Sequence, residues 1–375
     1  MTAGLRVALV HDWLTGMRGG ERCLEVFCEL FPDADLYTLL HVPGSVSPVI
    51  ERRRIVTSFL QRLPRAAERY RYYLPLFPAA MRGFDLSGYD LVLSSSHAVA
   101  KAARRRPGAT HVCYCFTPMR YIWDLYDDYF GARAPLAARV AMPAVAAALR
   151  RWDRRTSRRV DRFVAISHFV ADRIRRVWNR DASVIHPPVD VGRFTIAPDG
   201  PRDYYLVVSA LVPYKRVDLA VAAATRMKRR LLVVGRGPEM RRLAAMAGPT
   251  VEFLGWRDDR TVAALYARCR AVLFPTMEDF GIVPLEAMAA GRPVVAYGVG
   301  GARETVIGLD EHGGTAPTGV FFSEQRVEAL EAAMATLEAN EHRFEPKALR
   351  ARAEGFDRPL FRDRISAYLA AAVAC

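Results

Sequence analysis

Two glutamates with seven residues between them, Glu278 and Glu286, sit inside the run Thr276 to Ala296, TMEDFGIVPLEAMAAGRPVVA, which reads as loop, short helix and strand. Pro284 suits the first helical position, where its missing N–H would be an orphan anyway. Gly291 suits the left-handed residue after the helix, ahead of the Arg292–Pro293 step into Val294–Ala296. A helix of about two turns, entered through Gly281, turns unpaired N–H groups and the positive end of its dipole toward an anion, most often a phosphate. Phe280, Gly281, Ile282 and Val283 are the candidate amides. Phosphate repels carboxylates, so Glu278 and Glu286 are expected to accept hydrogen bonds from hydroxyls carried on the same ligand, a sugar on one side and a ribose on the other.

That arrangement resembles the E-x7-E signature of retaining glycosyltransferases of the GT-B architecture. The surrounding FGIVPLEAMAAGRPVVA, followed by Gly300-Gly301 and Glu304, is similar to the donor-site core of glycosyltransferase family 4. The resemblance implies an α/β fold with two Rossmann-like doubly wound domains facing a cleft. An acceptor-side domain over 1–195 is expected, then a nucleotide-sugar-binding domain over 203–355, with a terminal helix over 356–375 packing back on the first. Val191 to Asp203, rich in Pro, Gly and Asp, reads as the linker. A chain of 375 residues has room for two such cores.

The second half supplies the elements that would position the anion site. Tyr204–Ser209 is a buried strand, and Lys215 follows it just ahead of a helix, where a cation would meet a diphosphate. The family usually carries an Arg six positions before this Lys; Ser209 stands there instead. Arg216 is favoured as the replacement cation over Arg236 or an arginine of the first domain. Leu231–Val234 with the turn Gly235-Arg236-Gly237, Val251–Gly255 and Ala271–Pro275 continue the strand order, and Trp256 stands where the resembling enzymes position the nucleotide base.

In the first half, Leu5–Val10 is an apolar run that leads through a loop to Gly19-Gly20 and a helix, the opening of a doubly wound domain. The family places this glycine pair across the cleft from the donor diphosphate. The strands Tyr89–Ser94 and Thr110–Phe116 open onto His97, Arg120, Trp123 and Asp124, which lie where parallel sheets bind ligands and are the acceptor-side candidates. The family's cleft-floor histidine falls at Phe116 and is missing.

Charge is uneven. Residues 1–200 hold 30 Lys and Arg against 19 Asp and Glu, the remainder 24 against 21, so most of the net +14 lies in the first half. No nucleic-acid recognition module accompanies it, and an anionic membrane surface or a diphosphate-linked lipid suits the field better. Arg52–Phe84 mixes Arg with Phe, Leu, Tyr and Pro. It reads either as a solvated basic face or as a membrane-touching acceptor segment, which Pro64, Pro75 and Pro78 would break into short pieces. Helical spacing over 150–162 puts Arg151, Arg154, Arg155, Arg158 and Arg162 near one face.

No run of about 18 uncharged apolar residues and no leader segment is present, which points to a cytoplasmic enzyme, peripheral on the inner face of the plasma membrane if it meets lipid. The six cysteines lack metal spacing and read as buried reduced thiols. Asp33-Ala34-Asp35 reads as a helix-to-strand turn rather than a metal site, so neither a metal nor a cofactor is expected. The resemblance implies a metal-independent hexosyltransferase that retains anomeric configuration, the leaving phosphate itself taking the acceptor's proton. Thr117–Asp124 and Ser209–Asp218 are similar to a branch serving polysaccharide and O-antigen assembly, often mannosyltransferases. GDP-mannose is the leading donor and a UDP-sugar the second, with a polysaccharide or polyprenyl-diphosphate-linked glycan as acceptor. The rivals are a UDP-sugar 2-epimerase of the same architecture and a non-catalytic nucleotide-sugar-binding scaffold.

Overall fold

The structure, a computed structural model, describes residues 4–131, 134–311 and 316–374. It divides into two compact units, Met1–Pro187 with Phe361–Cys375, and Pro188–Leu360. The division therefore falls earlier than the linker read from composition. Residues 191–203 pack within the second unit, where Phe194 meets the Tyr266 ring edge-on and Ile196 lies against Gly291.

Among the described residues the first unit's sheet has seven strands, β1 (Val7–His11), β2 (Asp35–Thr38), β3 (Ile55–Thr57), β4 (Leu91–Ser96), β5 (Thr110–Cys115), β6 (Arg162–Ala165) and β7 (Ala182–Val184), ordered β3-β2-β1-β4-β5-β6-β7. All are parallel. β1, β4 and most of β5 are buried along their length, which is why they read as continuous apolar runs rather than alternating ones. The helix Gly19–Leu30 buries Leu24, Phe27 and Cys28. The final helix, Arg358–Val373, sets Phe361 against Phe27 and Tyr114 in this unit. Ser167 caps the helix His168–Trp178 by accepting from the Val170 N–H, as a side-chain oxygen at that position should.

The prolines of 52–84 do break it into short turns, among them Phe59–Arg62, Ala66–Arg69, Tyr70–Leu76 and Phe77–Arg82. Leu60, Tyr70, Leu74 and Phe77 enter the core while Phe59, Tyr72 and Leu76 stay exposed. The basic stretch beyond 150 is the end of a 22-residue helix, Leu136–Ser157. Arg162 lies in β6, off that helix, so only the arginines up to Arg158 share its end.

The second unit carries β8 (Tyr205–Val208), β9 (Leu231–Val234), β10 (Val251–Gly255), β11 (Ala271–Phe274), β12 (Val294–Tyr297) and β13 (Gly319–Phe322). Their order is β10-β9-β8-β11-β12-β13, again parallel throughout. In each sheet the order reverses at one place, between β1 and β4 and between β8 and β11. Loops leaving the carboxyl ends of strands at such a point diverge and leave room for a ligand.

Candidate active site

The loops after β8 and β11 meet at the reversal of the second sheet. After β8 the chain makes a single turn, Pro213–Lys215, and Arg216 then takes the left-handed conformation (φ 51°, ψ 34°) that swings the backbone into the helix Val217–Arg226. That turn delivers the Lys215 ammonium to the Glu278 carboxylate, with which it forms a short ion pair. Thr276 Oγ1 reaches the same carboxylate oxygen at 3.3 Å and the Tyr214 carbonyl at 3.3 Å, tying the two loops together. Both partners keep some exposure, 20% for the Lys215 side chain and 15% for Glu278, so a ligand can compete for either.

Glycines set the backbone around this pair. A Cβ on Gly301 would lie 2.3 Å from the Phe280 Cα and one on Gly300 2.5 Å from the Glu278 carbonyl oxygen, so the Gly300-Gly301 pair lets its chain pack directly beneath the 278–280 loop. The Gly301 N–H donates to the Glu278 carbonyl at 2.8 Å. Gly281 (φ 108°) then turns the chain into the helix Ile282–Ala289, which no side chain caps. A helix start without a side-chain cap leaves its first amides to solvent or a ligand. The helix begins two residues before the sequence suggests, which makes Pro284 its third residue. That is still in the first turn, where a missing N–H costs nothing. Gly291 is left-handed (φ 72°), with the Gly291 and Arg292 N–H groups returning to Met288 and Ala287 at 2.9 Å each. That is a Schellman end.

Glu286 accepts from the Tyr266 hydroxyl at 3.0 Å. Burial first, and the Glu286 charge second, push that phenol well above its usual pKa, so it stays a donor. Thr276 and Tyr266 are the two site members that sequence reading left without a role. Thr276 lay inside the motif, but nothing near Tyr266 in the chain marks it, since its partner is 20 residues away.

The glycine turn after β9 is held just as closely. A Cβ on Gly235 (φ 138°) would fall 1.8 Å from the Ser209 carbonyl oxygen, and one on Gly237 2.2 Å from that of Leu211. Ser209 turns its hydroxyl to the neighbouring Ala210 carbonyl at 3.1 Å. Arg236 is exposed and has no ion pair among the described residues. Arg216, the favoured second cation, is tied by its Nε and Nη2 to Asp218 at 3.1 and 3.3 Å. That pairing offsets its charge within its own loop, so Arg236 is the freer of the two. Trp256 is 63% exposed, a ring face open for stacking.

In the first unit the candidates are largely committed to partners. Trp123 donates its indole N–H to Asp153 at 2.9 Å, with the Arg150 and Arg154 guanidinium groups over its ring. Asp124 binds Arg173 and, at 3.0 Å, Arg176. Arg120 is half-buried in the same loop. Those bonds hold the loop 117–125 to neighbouring helices. His97 remains 31% exposed and pairs with Asp12. Gly19 and Gly20 open their helix, where Glu21 accepts from the Arg18 N–H at 3.0 Å, so this helix start already has a carboxylate. A Cβ on Gly20 would touch the Phe116 ring at 3.3 Å.

Asp35 of the Asp33-Ala34-Asp35 turn is occupied by Arg54 and the Tyr89 hydroxyl. No cluster able to hold a metal exists among the described residues, and no described helix is long and apolar enough to cross a membrane. Cys23, Cys28, Cys113, Cys115 and Cys269 are free and buried; Cys375 lies outside the described residues.

Two doubly wound parallel sheets, the second bearing an uncapped helix start and a Lys–Glu pair at its reversal point, define the GT-B class. A family model described as Glycosyltransferase Family 4 matches residues 17–193, and one described as Glycosyl transferases group 1 matches residues 191–355. The chain is 30% identical over 271 residues to the GDP-mannose-dependent alpha-(1-6)-phosphatidylinositol monomannoside mannosyltransferase of Mycolicibacterium smegmatis, covering 59% of this chain and 69% of that one. It belongs to glycosyltransferase family 4. It is also 34% identical over 187 residues to the D-inositol 3-phosphate glycosyltransferase of Actinosynnema mirum, a match covering 40% of this chain and 45% of that one. Among solved structures, sucrose-phosphate synthase from Thermosynechococcus elongatus superposes with a TM-score of 0.73 at 19% identity, covering 98% of this chain and 99% of that one. Anabaena HepE in complex with UDP gives 0.68 at 18%, covering 98% and 100%. At these identities the likeness is one of fold.

Proposed function

We propose that the chain moves a hexose from a nucleoside diphosphate sugar to a hydroxyl of a growing glycan, with retention of anomeric configuration and without metal or cofactor. The observation that carries this reading is the contact of Lys215 with Glu278 beside the uncapped start of the helix Ile282–Ala289. A diphosphate and the sugar attached to it are adjacent on the ligand, and so are the groups suited to each.

The barrier is departure of the diphosphate from an oxocarbenium-like sugar. Lys215 and the amides of Phe280 to Val283 meet the charge that grows on the leaving phosphate, and one such preorganised donor is worth about 3 kcal/mol. Arg236 is the second cation we favour, because it is exposed while Asp218 already answers Arg216. Glu278 orients hydroxyls of the donor sugar, and Glu286, held by Tyr266, the ribose. Trp256 gives the base a ring to stack on.

GDP-mannose is the donor we favour, in keeping with the mannosyltransferase relative; a UDP-sugar is the second reading, which the UDP complex of HepE supports by fold alone. For the acceptor we favour a polyprenyl-diphosphate-linked or polysaccharide glycan of the cell surface, met at the cytoplasmic face of an anionic membrane. Supporting this are the groove of about 520 Å³ lined by Arg150, Arg151, Arg154, Arg155 and Arg158, and the exposed Leu136, Val140 and Tyr72 of the same unit.

Glu278→Ala and Lys215→Ala proteins that still fold are expected to lose sugar transfer from radiolabelled GDP-mannose to membrane lipid extracts. Near-normal turnover in both refutes the assignment, and consumption of the sugar nucleotide without any acceptor turns it toward an epimerase.

A further inference from the structure

The helix Leu136–Ser157 is clamped at one end and bare at the other. Its buried residues are Ala146, Leu149, Asp153, Thr156 and Ser157, all in the second half. Asp153 makes the clamp. Its carboxylate meets the Lys101 ammonium at 2.8 Å and accepts the indole N–H groups of Trp123 and Trp178 at 2.9 and 2.6 Å, each from a different element of the first unit. Lys101 and Asp153 are both fully buried, and Lys101 also donates to Thr156 Oγ1 at 3.0 Å. Breaking a sealed ion pair is strongly destabilising, so the base of this helix is fixed.

The first half leaves apolar side chains uncovered. Leu136 and Val140, about one turn apart, are 72% and 73% exposed, and Arg139 carries the only charge between Leu136 and Leu149. Leu136, Val140, Ala144 and Ala147, all exposed, follow helical spacing and lead on the same face into Arg151 and Arg154. Charge decides what suits this face. From Tyr129 to Trp152 the chain has no Asp or Glu, and residues 150–159 hold six Arg against one Asp, the buried Asp153. The field there is concentrated: burial first, then the charges of Arg104, Arg155 and Arg82, hold the Arg159 pKa below its ordinary value. A second copy of this chain would bring the same arginines to the face and no carboxylate to answer them. An anionic bilayer answers both halves at once, with hydrocarbon for Leu136 and Val140 and phosphates for the groove of Arg151, Arg154, Arg155 and Arg158. Pro143 leaves the Arg139 carbonyl without its helical donor, which suits the headgroup boundary rather than the hydrocarbon centre.

We propose that the helix Leu136–Ser157 is an in-plane membrane anchor, its stripe of Leu136, Val140, Ala144 and Ala147 seated at the headgroup boundary of an anionic bilayer and Arg151, Arg155 and Arg158 on lipid phosphates. This rests on the membrane-facing acceptor reading above and assigns the contact to one helix, ahead of the segment 52–84. The exposed Phe59, Tyr72 and Leu76 of that segment sit on short turns whose Leu60, Tyr70 and Leu74 point into the core, so they form no continuous stripe.

The test floats the full chain with vesicles of phosphatidylcholine, alone or mixed with phosphatidylglycerol, alongside calorimetric titration of GDP and sedimentation without lipid. Wild type is expected to partition onto the mixed vesicles and far less onto phosphatidylcholine. The double variant Leu136→Glu with Val140→Glu, at positions the core does not use, is expected to lose at least tenfold in partitioning. Arg151→Gln, Arg155→Gln and Arg158→Gln together should lose about a hundredfold, and Tyr72→Glu should change little. GDP affinity is expected to stay the same in all of them. Three results overturn the anchor: wild type that ignores anionic vesicles, a Leu136→Glu and Val140→Glu protein that floats as wild type does, or a lipid-free wild-type dimer that this double variant disperses, which would give the face to a second copy. Absent sugar transfer or GDP binding, with the flotation pattern intact, would instead strike the glycosyltransferase reading and leave the anchor standing.

Discussion

The two sheets reverse strand order at equivalent places, and each reversal point holds a carboxylate with a different task. In the second unit Glu278 answers a side chain, Lys215, across two loops and stays partly open. In the first, Asp12 answers four backbone amides of a single loop and is sealed. A side-chain pair can be exchanged for a ligand, whereas a carboxylate that closes four amides is part of the frame. The same topology therefore gives a charged, exchangeable site in one unit and in the other a rigid loop that presents neutral groups.

The sharpest way to break this contrast is to remove each ion. Asp12→Ala strands four buried N–H groups and is expected to lower stability by roughly 4 kcal/mol or more, read from urea unfolding. Lys215→Ala should leave the unfolding midpoint nearly in place while transfer falls by about a hundredfold. Equal stability losses in the two would erase the distinction. Next comes Gly235→Ala, whose methyl meets the Ser209 carbonyl oxygen at an impossible 1.8 Å in a backbone of positive φ. A cost of about 2–4 kcal/mol by thermal unfolding is expected, with nucleotide affinity falling as the turn shifts. Arg236→Ala should then weaken GDP binding about tenfold in calorimetry, and Arg216→Ala less, because Asp218 already offsets its charge. The reverse order would restore Arg216 as the phosphate's second cation.

The smallest effect at neutral pH is acid sensitivity. Burial pushes the His111 pKa down to about 3, and its Nε2 lies 2.8 Å from the Ser94 hydroxyl within the first sheet. The unfolded chain takes this proton near pH 6.5, the folded one only near 3, so stability is expected to fall as pH drops through that window. His111→Gln should flatten the acid limb of a stability-versus-pH curve; an unchanged slope would remove His111 from the account.

Much of the frame was legible because its signals are local. Apolar runs marked β1, β4, β8, β9, β10 and β11, and Gly291 marked the stop of its helix. β3, three half-buried residues inside the Arg-rich stretch, offered no such run. The residues proposed for the donor loop stood together in the sequence because 276–291 is contiguous. What could not be read was pairing at a distance. Trp123 meets Asp153 30 residues on and Asp124 meets Arg173 49 residues on, bonds that turn candidate contacts into braces. Arg216 and Asp218 are only two apart, but the left-handed turn that closes them together is a property of the folded loop. Nor does any sequence pattern announce that Leu136 and Val140 stay uncovered, since that is known only once every neighbour is placed.

Calorimetric titration of GDP into wild-type, Lys215→Ala and Glu286→Ala proteins reaches the central claim most directly, because it reads the grip of the second unit's loops with no acceptor needed. Affinity lost by about tenfold or more in each variant, with the fold intact, is what the Lys215 and Glu286 assignments predict. Undiminished GDP affinity in both would contradict them and place the nucleotide elsewhere.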